Sequence, residues 1–187
     1  MSATLSLINQ FLIAMPSLKD ANFSRTVTYI CQHNEEGAMG IVINQPLQLT
    51  LGDVLADLSL SASETSITES PVFLGGPVQC DRGFVLHQPL GKWGATLKVG
   101  ENIGITASRN ILESIAKGEG PKKSMVALGY AGWGPGQLED EMCANSWLSG
   151  PADMRVIFEL PPEQRWQAAA LLAGVDIHRL APDAGHA

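Results

Sequence analysis

The chain is short of positive charge. Twelve Lys and Arg stand against nineteen Asp and Glu, a formal net charge of −7, and charged residues make up only 17% of the 187. From Thr26 to Asp81 there is no Lys or Arg at all, while Glu35, Glu36, Asp53, Asp57, Glu64, Glu69 and Asp81 are acidic. A nucleic-acid surface needs clustered cations to displace counterions from phosphates, so no direct nucleic-acid partner is expected. The only adjacent basic pair, Lys122-Lys123, reads as a solvated loop.

Cysteine is scarce too. The three thiols, Cys31, Cys80 and Cys143, are odd in number and form no CxxC, and the histidines make no HxH, HxxxH or HExxH. That excludes a disulfide framework and the usual zinc spacings; reduced thiols and no metal are expected. No GxGxxG, Walker or GxSxG pattern occurs, so no cofactor is expected. Long apolar runs are missing: Phe11–Met15 is stopped by Pro16, and a membrane span needs about 20 residues. No Lys or Arg precedes Lys19, so the charged start of a secretory signal is absent. These readings point to a cytoplasmic protein with no membrane partner.

What is present is an ordinary globular core, with 45% apolar residues and a length that fits one domain over 1–187. Residues 11–15, 26–31, 39–44, 71–74, 83–87, 95–99, 103–106, 124–130 and 154–160 read as strands, with 26–44 a hairpin. Thr50 to Asp53 is a capping pattern, and Leu51, Val54, Leu55 and Leu58 follow at helical spacing. Further helices are expected after Ser108, from Gln137 to about Trp147, and from Pro161 to Gly174. The polar stretch 61–70 reads as a loop, and the tail after Pro182 should fray. Interleaved but not alternating strands and helices predict an α+β fold with a mixed, largely antiparallel sheet and about four helices.

Candidate chemistry is thin. Cys31 and His33 share a strand face but their Cα atoms would lie about 6.6 Å apart, too far for a direct thiol–imidazole pair without a sharp turn at Gln32. The bend GWGPGQ resembles an anion cradle, but Glu139, Asp140 and Glu141 already complement that helix end and would repel phosphate. Gly75-Gly76-Pro77 reads as a tight turn built on glycine's freedom. The remaining candidates form a polar-aromatic set: His33, Asn44, His87, Trp133, Gln137, Glu141 and Asn145. Gln137, Glu141 and Asn145 fall at i, i+4 and i+8 along one helical stripe, with Leu138 and Met142 on a neighbouring, core-facing stripe. The polar stripe either lines a binding surface or ties the helix to the sheet.

Three segments together, FLIAMPSLKDANFSRTVTYICQHNEEGAMGIVINQP at 11–46, FLGGPVQCDRGFVLH at 73–87 and ALGYAGWGPGQLEDEMCANSWLSGPAD at 127–153, resemble the YqgE/AlgH family of bacterial proteins, as do GVDIHRL and the terminal AGHA. The resemblance implies a single α+β domain whose sheet has barrel character and is wrapped by helices. The family is essentially uncharacterised. Some members are labelled transcriptional regulators through a genetic link to alginate production, which names no chemistry. Three functions stay open: a non-catalytic binding or regulatory protein acting through a protein or small ligand; an enzyme of unrecognised class using His33 or His87 with Glu141; and a DNA-binding regulator.

Overall fold

The computed structural model describes residues 5–180. The expected fraying after Pro182 lies outside them. In chain order the elements are β1 (Gln10–Ala14), β2 (Val27–Asn34), β3 (Gly37–Val42), β4 (Pro46–Thr50), α1 (Leu51–Asp57), α2 (Thr65–Thr68), β5 (Pro71–Leu74), β6 (Val78–Gln88), β7 (Thr96–Lys98), β8 (Gly104–Thr106), α3 (Arg109–Ala116), β9 (Lys123–Trp133), α4 (Gln137–Cys143), β10 (Trp147–Pro151), α5 (Met154–Phe158) and α6 (Pro162–Leu172). The fold is α+β. Every strand pairing is antiparallel except that of β5 with β9. The chain divides into two compact units, 1–44 with 131–187, and 45–130.

In the first unit the strand order is β10-β1-β2-β3, and β3 pairs with residues 131–133 of β9. The run Phe11-Leu12-Ile13-Ala14 is fully buried because β1 has a neighbour on both edges. The β2–β3 hairpin turns at Asn34, whose Oδ1 accepts from the Glu36 amide at 2.8 Å, a side-chain-closed turn. A bulge between Ile30 and Gln32 leaves Cys31 out of register, fully buried. One face of this sheet carries Leu12, Ile30, Trp133 and Trp147, which form a common core with Leu138 of α4. α6 is tied in by Trp166, whose Nε1 donates to the Ala14 carbonyl at 2.9 Å, and by the buried Arg165, which donates to the carbonyls of Ile43 (2.5 Å) and Leu160 (3.0 Å).

In the second unit β6 pairs with β8 and with residues 123–130 of β9, β7 pairs with β8, and β5 pairs with β4 and β9. α1 and α3 cover this sheet through Leu51, Leu55, Ile111, Leu112 and Ile115, packed on Val72, Val85 and Val126. α1 begins as its sequence dictates: Thr50 Oγ1 accepts from the Asp53 amide and Asp53 accepts from the Thr50 amide.

Several expectations are corrected. There are six helices among the described residues rather than about four. The polar stretch 61–70 contains the single turn α2, and 154–160 holds α5 instead of a strand, because the Asp153 carboxylate accepts from the Arg155 amide and starts a helix. β9 runs on through Ala131-Gly132-Trp133, so the bend begins only at Gly134. Ser108 stands at the N-cap of α3 but makes no side-chain cap; its hydroxyl donates to the Trp93 carbonyl. β4 and β10 were not foreseen. No helix among the described residues is long and apolar enough to cross a membrane.

Candidate functional site

α4 stops at Cys143, one turn earlier than the apolar pattern suggests. Asn145 follows in a left-handed conformation (φ 58°), the Ser146 amide bonds to the Glu141 carbonyl and the Asn145 amide to that of Met142. These are the two bonds of a Schellman stop, with Asn145 in the place that usually takes glycine. Asn145 is therefore off the expected stripe, and Trp147 starts β10. At the other end Gly136 (φ 74°) opens the helix, and exposed Gln137 accepts from the Gly134 amide at 3.0 Å, closing the bend. Glu141 sits between: its Oε1 lies 3.5 Å from the Trp147 indole N–H. Trp133, Trp147 and Phe23 form a packed aromatic triad, with centroids 5.5–6.1 Å apart.

On α4, Leu138, Glu139, Met142 and Cys143 border a cleft, Leu138 and Met142 from the core side and Glu139 and Cys143 from the adjoining stripe. With Leu5, Leu7, Gln10, His33 and Ser149 they line this cleft, of about 370 Å³, in the first unit. His33 forms its floor, with a side chain 3% exposed. Its Nδ1 accepts from the Leu7 amide at 3.0 Å, so that nitrogen bears no proton, and its Nε2–H donates to Glu139 Oε1 at 2.6 Å. The partners thus assign an uncharged ring with a fixed tautomer. The His33 N–H is the chief cause that holds the Glu139 carboxyl below the usual carboxylate range. Glu139 is 37% exposed and faces the cleft as an anion.

Cys31 and His33 do not pair. The Cys31 thiol lies 3.6 Å from the Tyr29 carbonyl, and burial pushes its pKa far up, so it stays protonated. Asn44 is a clamp between strands: it accepts from the Val27 amide and donates to the Arg25 carbonyl, both at 2.9 Å.

The second unit holds the other candidates. His87 is fully buried. Its Nδ1–H donates to the Pro89 carbonyl at 3.0 Å, the Thr106 hydroxyl donates to its Nε2 at 2.7 Å, and the Thr96 hydroxyl donates to Thr106 at 2.6 Å. Burial is the main cause that lowers its pKa. Gly75 donates its amide to the Leu128 carbonyl at 2.8 Å, and a Cβ there would strike the Gly129 carbonyl oxygen; Gly76 is buried at φ 154°. Lys122 and Lys123 line a cleft of about 360 Å³ with Gln88, Pro89 and Asn102. Lys123 opens β9 and is not part of a loop.

Of the sequence candidates, only His33 lines the larger cleft. Glu139, Cys143, Leu7 and Gln10 were missed. The phase of α4 was the available signal: with Leu138 and Met142 inward, Glu139 and Cys143 occupy the adjoining stripe. No group of three or more His, Cys, Asp or Glu suited to a metal occurs among the described residues.

Comparison with known proteins closes the question of kinship. The AlgH-like (DUF179) family model matches residues 11–178. UPF0301 proteins of Thioalkalivibrio sulfidiphilus and Nitrosococcus oceani are 58% and 57% identical, the first over 100% of both chains and the second over 96% of both. The solution structure of the AlgH protein from Pseudomonas aeruginosa is 47% identical, covers 100% of this chain and 99% of its own, and superposes with a TM-score of 0.81. A crystal structure from Corynebacterium diphtheriae shares the fold alone, at 17% identity and a TM-score of 0.75, over 97% of this chain and 94% of its own. None of these names carries a biochemical activity. The chain belongs to the AlgH-like family.

Proposed function

We propose that the protein is a non-catalytic, cytoplasmic binding protein that works through the cleft of its first unit, receiving a small ligand or a side chain of a protein partner, within a single domain. The observation that carries this reading is the state of His33. Both ring nitrogens are spent on the protein's own groups, so among the described residues the cleft has no free imidazole to act as general base. The exposed Cys143 thiol on its rim has no imidazole among the described lining residues free to activate it. Apolar walls with a few placed polar groups are the usual make-up of a ligand site, and the volume falls within the range of such sites.

A screen of small organic fragments by amide NMR tests this. Binders should shift the amides of Leu7, Leu138, Met142 and Cys143. Alkylating Cys143 in a Cys80→Ser background should abolish those shifts. Fragments that cluster elsewhere, or shifts indifferent to the alkylation, would overturn the assignment.

A further inference from the structure

The chemistry of the cleft restricts what it can receive, and this step rests on the binding reading above. Among the described residues Glu139 is the one formally charged group in the lining, since His33 is uncharged and the rest are Leu5, Leu7, Gln10, Leu138, Met142, Cys143 and Ser149. The two following residues of α4, Asp140 and Glu141, add negative charge, and no Lys or Arg lines the cleft. A ligand that covers Glu139 removes water from a carboxylate, which is costly unless the ligand supplies hydrogen-bond donors of its own. His33 already supplies one donor, to Oε1. A carboxylate or phosphate would bring a second anion against the first.

We propose that the cleft binds a small monocationic organic ammonium. Its N–H donors meet the Glu139 carboxylate, and its hydrocarbon or aromatic body lies on Leu7, Leu138 and Met142. His33 acts as a positioning residue: buried between the Leu7 amide and Glu139, it fixes the carboxylate's direction. The lowered pKa of Glu139 keeps the anion present at neutral pH.

Three probes of equal length and different charge, hexylammonium, 1-hexanol and hexanoate, separate this inference from the broader one when titrated against the ¹⁵N-labelled full chain. Hexylammonium is expected to shift the Leu7, Met142 and Cys143 amides and to bind about tenfold more tightly than hexanol, the order expected of a charge-assisted hydrogen bond, with hexanoate weakest. Glu139→Gln should lose that advantage, and Asp140→Asn, outside the lining, should keep it. Cys143→Lys provides a second variant on an exposed position: it puts an ammonium of the protein's own one helical turn from Glu139 and should displace the probe. Hexanol or hexanoate binding as well as hexylammonium would overturn the cation inference and leave the cleft a binding site. Undiminished hexylammonium binding by both Glu139→Gln and Cys143→Lys would overturn it equally. No response of the cleft amides to any probe would overturn the inference and count against the binding reading as well.

Discussion

His87 couples stability to pH. Its folded pKa lies below that of an exposed histidine, chiefly through burial. The unfolded chain therefore takes up a proton first as pH falls. Stability is complete above the ordinary histidine pKa, about 6.5, and is lost as pH drops from there through the folded value. Urea midpoints measured from pH 8 to 5 should fall across that window, with a slope of at most about 1.4 kcal/mol per pH unit from this group. His87→Gln should be less stable at pH 8, because Thr106 loses its acceptor, yet show a shallower decline. An unchanged slope in the variant would show that another group carries the pH dependence. Glu139 acts in a lower window: its pKa is also depressed, so its contribution is lost only as pH falls below the usual carboxylate range. The thiols give a second check at this scale. Cys80 and Cys143 are exposed and Cys31 is buried, so a thiol reagent should modify two groups quickly in the native protein and the third only on unfolding.

α1 and the β2–β3 hairpin are legible in the sequence, and the short elements are not, even where a cap is present. α1 announces itself through Thr50 and Asp53, and β2–β3 through a β-branched run and the turn at Asn34. α5 reads as a strand because its central Val156 and Ile157 are β-branched and it is too short for its period to show; the Asp153 cap decides it. β10 is not legible because the helical pattern reaches to about Trp147, its first residue, and Asn145 ends α4 by a left-handed turn that apolar spacing does not encode. The stripe of Gln137, Glu141 and Asn145 presupposes a helix that runs past Cys143; α4 ends there, so Asn145 leaves the stripe. The cap of α4 makes a prediction. Asn145→Gly should leave the urea midpoint unchanged or raise it slightly, and Asn145→Ala should cost about 1 kcal/mol, the strain of a left-handed residue with a Cβ. Equal effects would show that the side chain, not the backbone conformation, matters there. The docking of α6 makes another. Burial holds the Arg165 guanidinium at a pKa of about 10, still charged at neutral pH. Arg165→Ala leaves the Ile43 and Leu160 carbonyls without that donor and should cost about 2–4 kcal/mol in thermal or urea unfolding. A loss within about 0.5 kcal/mol, the exposed-site figure, would mean that water replaces the guanidinium.

At the scale of the molecule, the distribution of charge bears on the regulator reading. The stretch from Thr26 to Asp81 without a cation covers β2 to the start of β6. The cations outside it are partly engaged: Arg165 is buried, Arg25 lies 5.4 Å from the Trp166 ring, Arg82 lies 5.3 Å from that of Phe84, and Arg109 pairs with Glu113. Lys122 and Lys123 are the densest basic feature, enough for one or two phosphates, whereas specific DNA binding draws on many more and on base contacts besides. With a net charge of −7, approach to a polyanion is opposed at long range. Fluorescence anisotropy against the promoter DNA of the protein's own gene, at physiological salt, should therefore show no saturable change. Weak association at low salt through the lysine pair should vanish as salt rises and should be lost in Lys122→Ala/Lys123→Ala. Saturable sub-micromolar binding that survives physiological salt would require a basic surface that the sequence does not provide, and would put the regulator reading first.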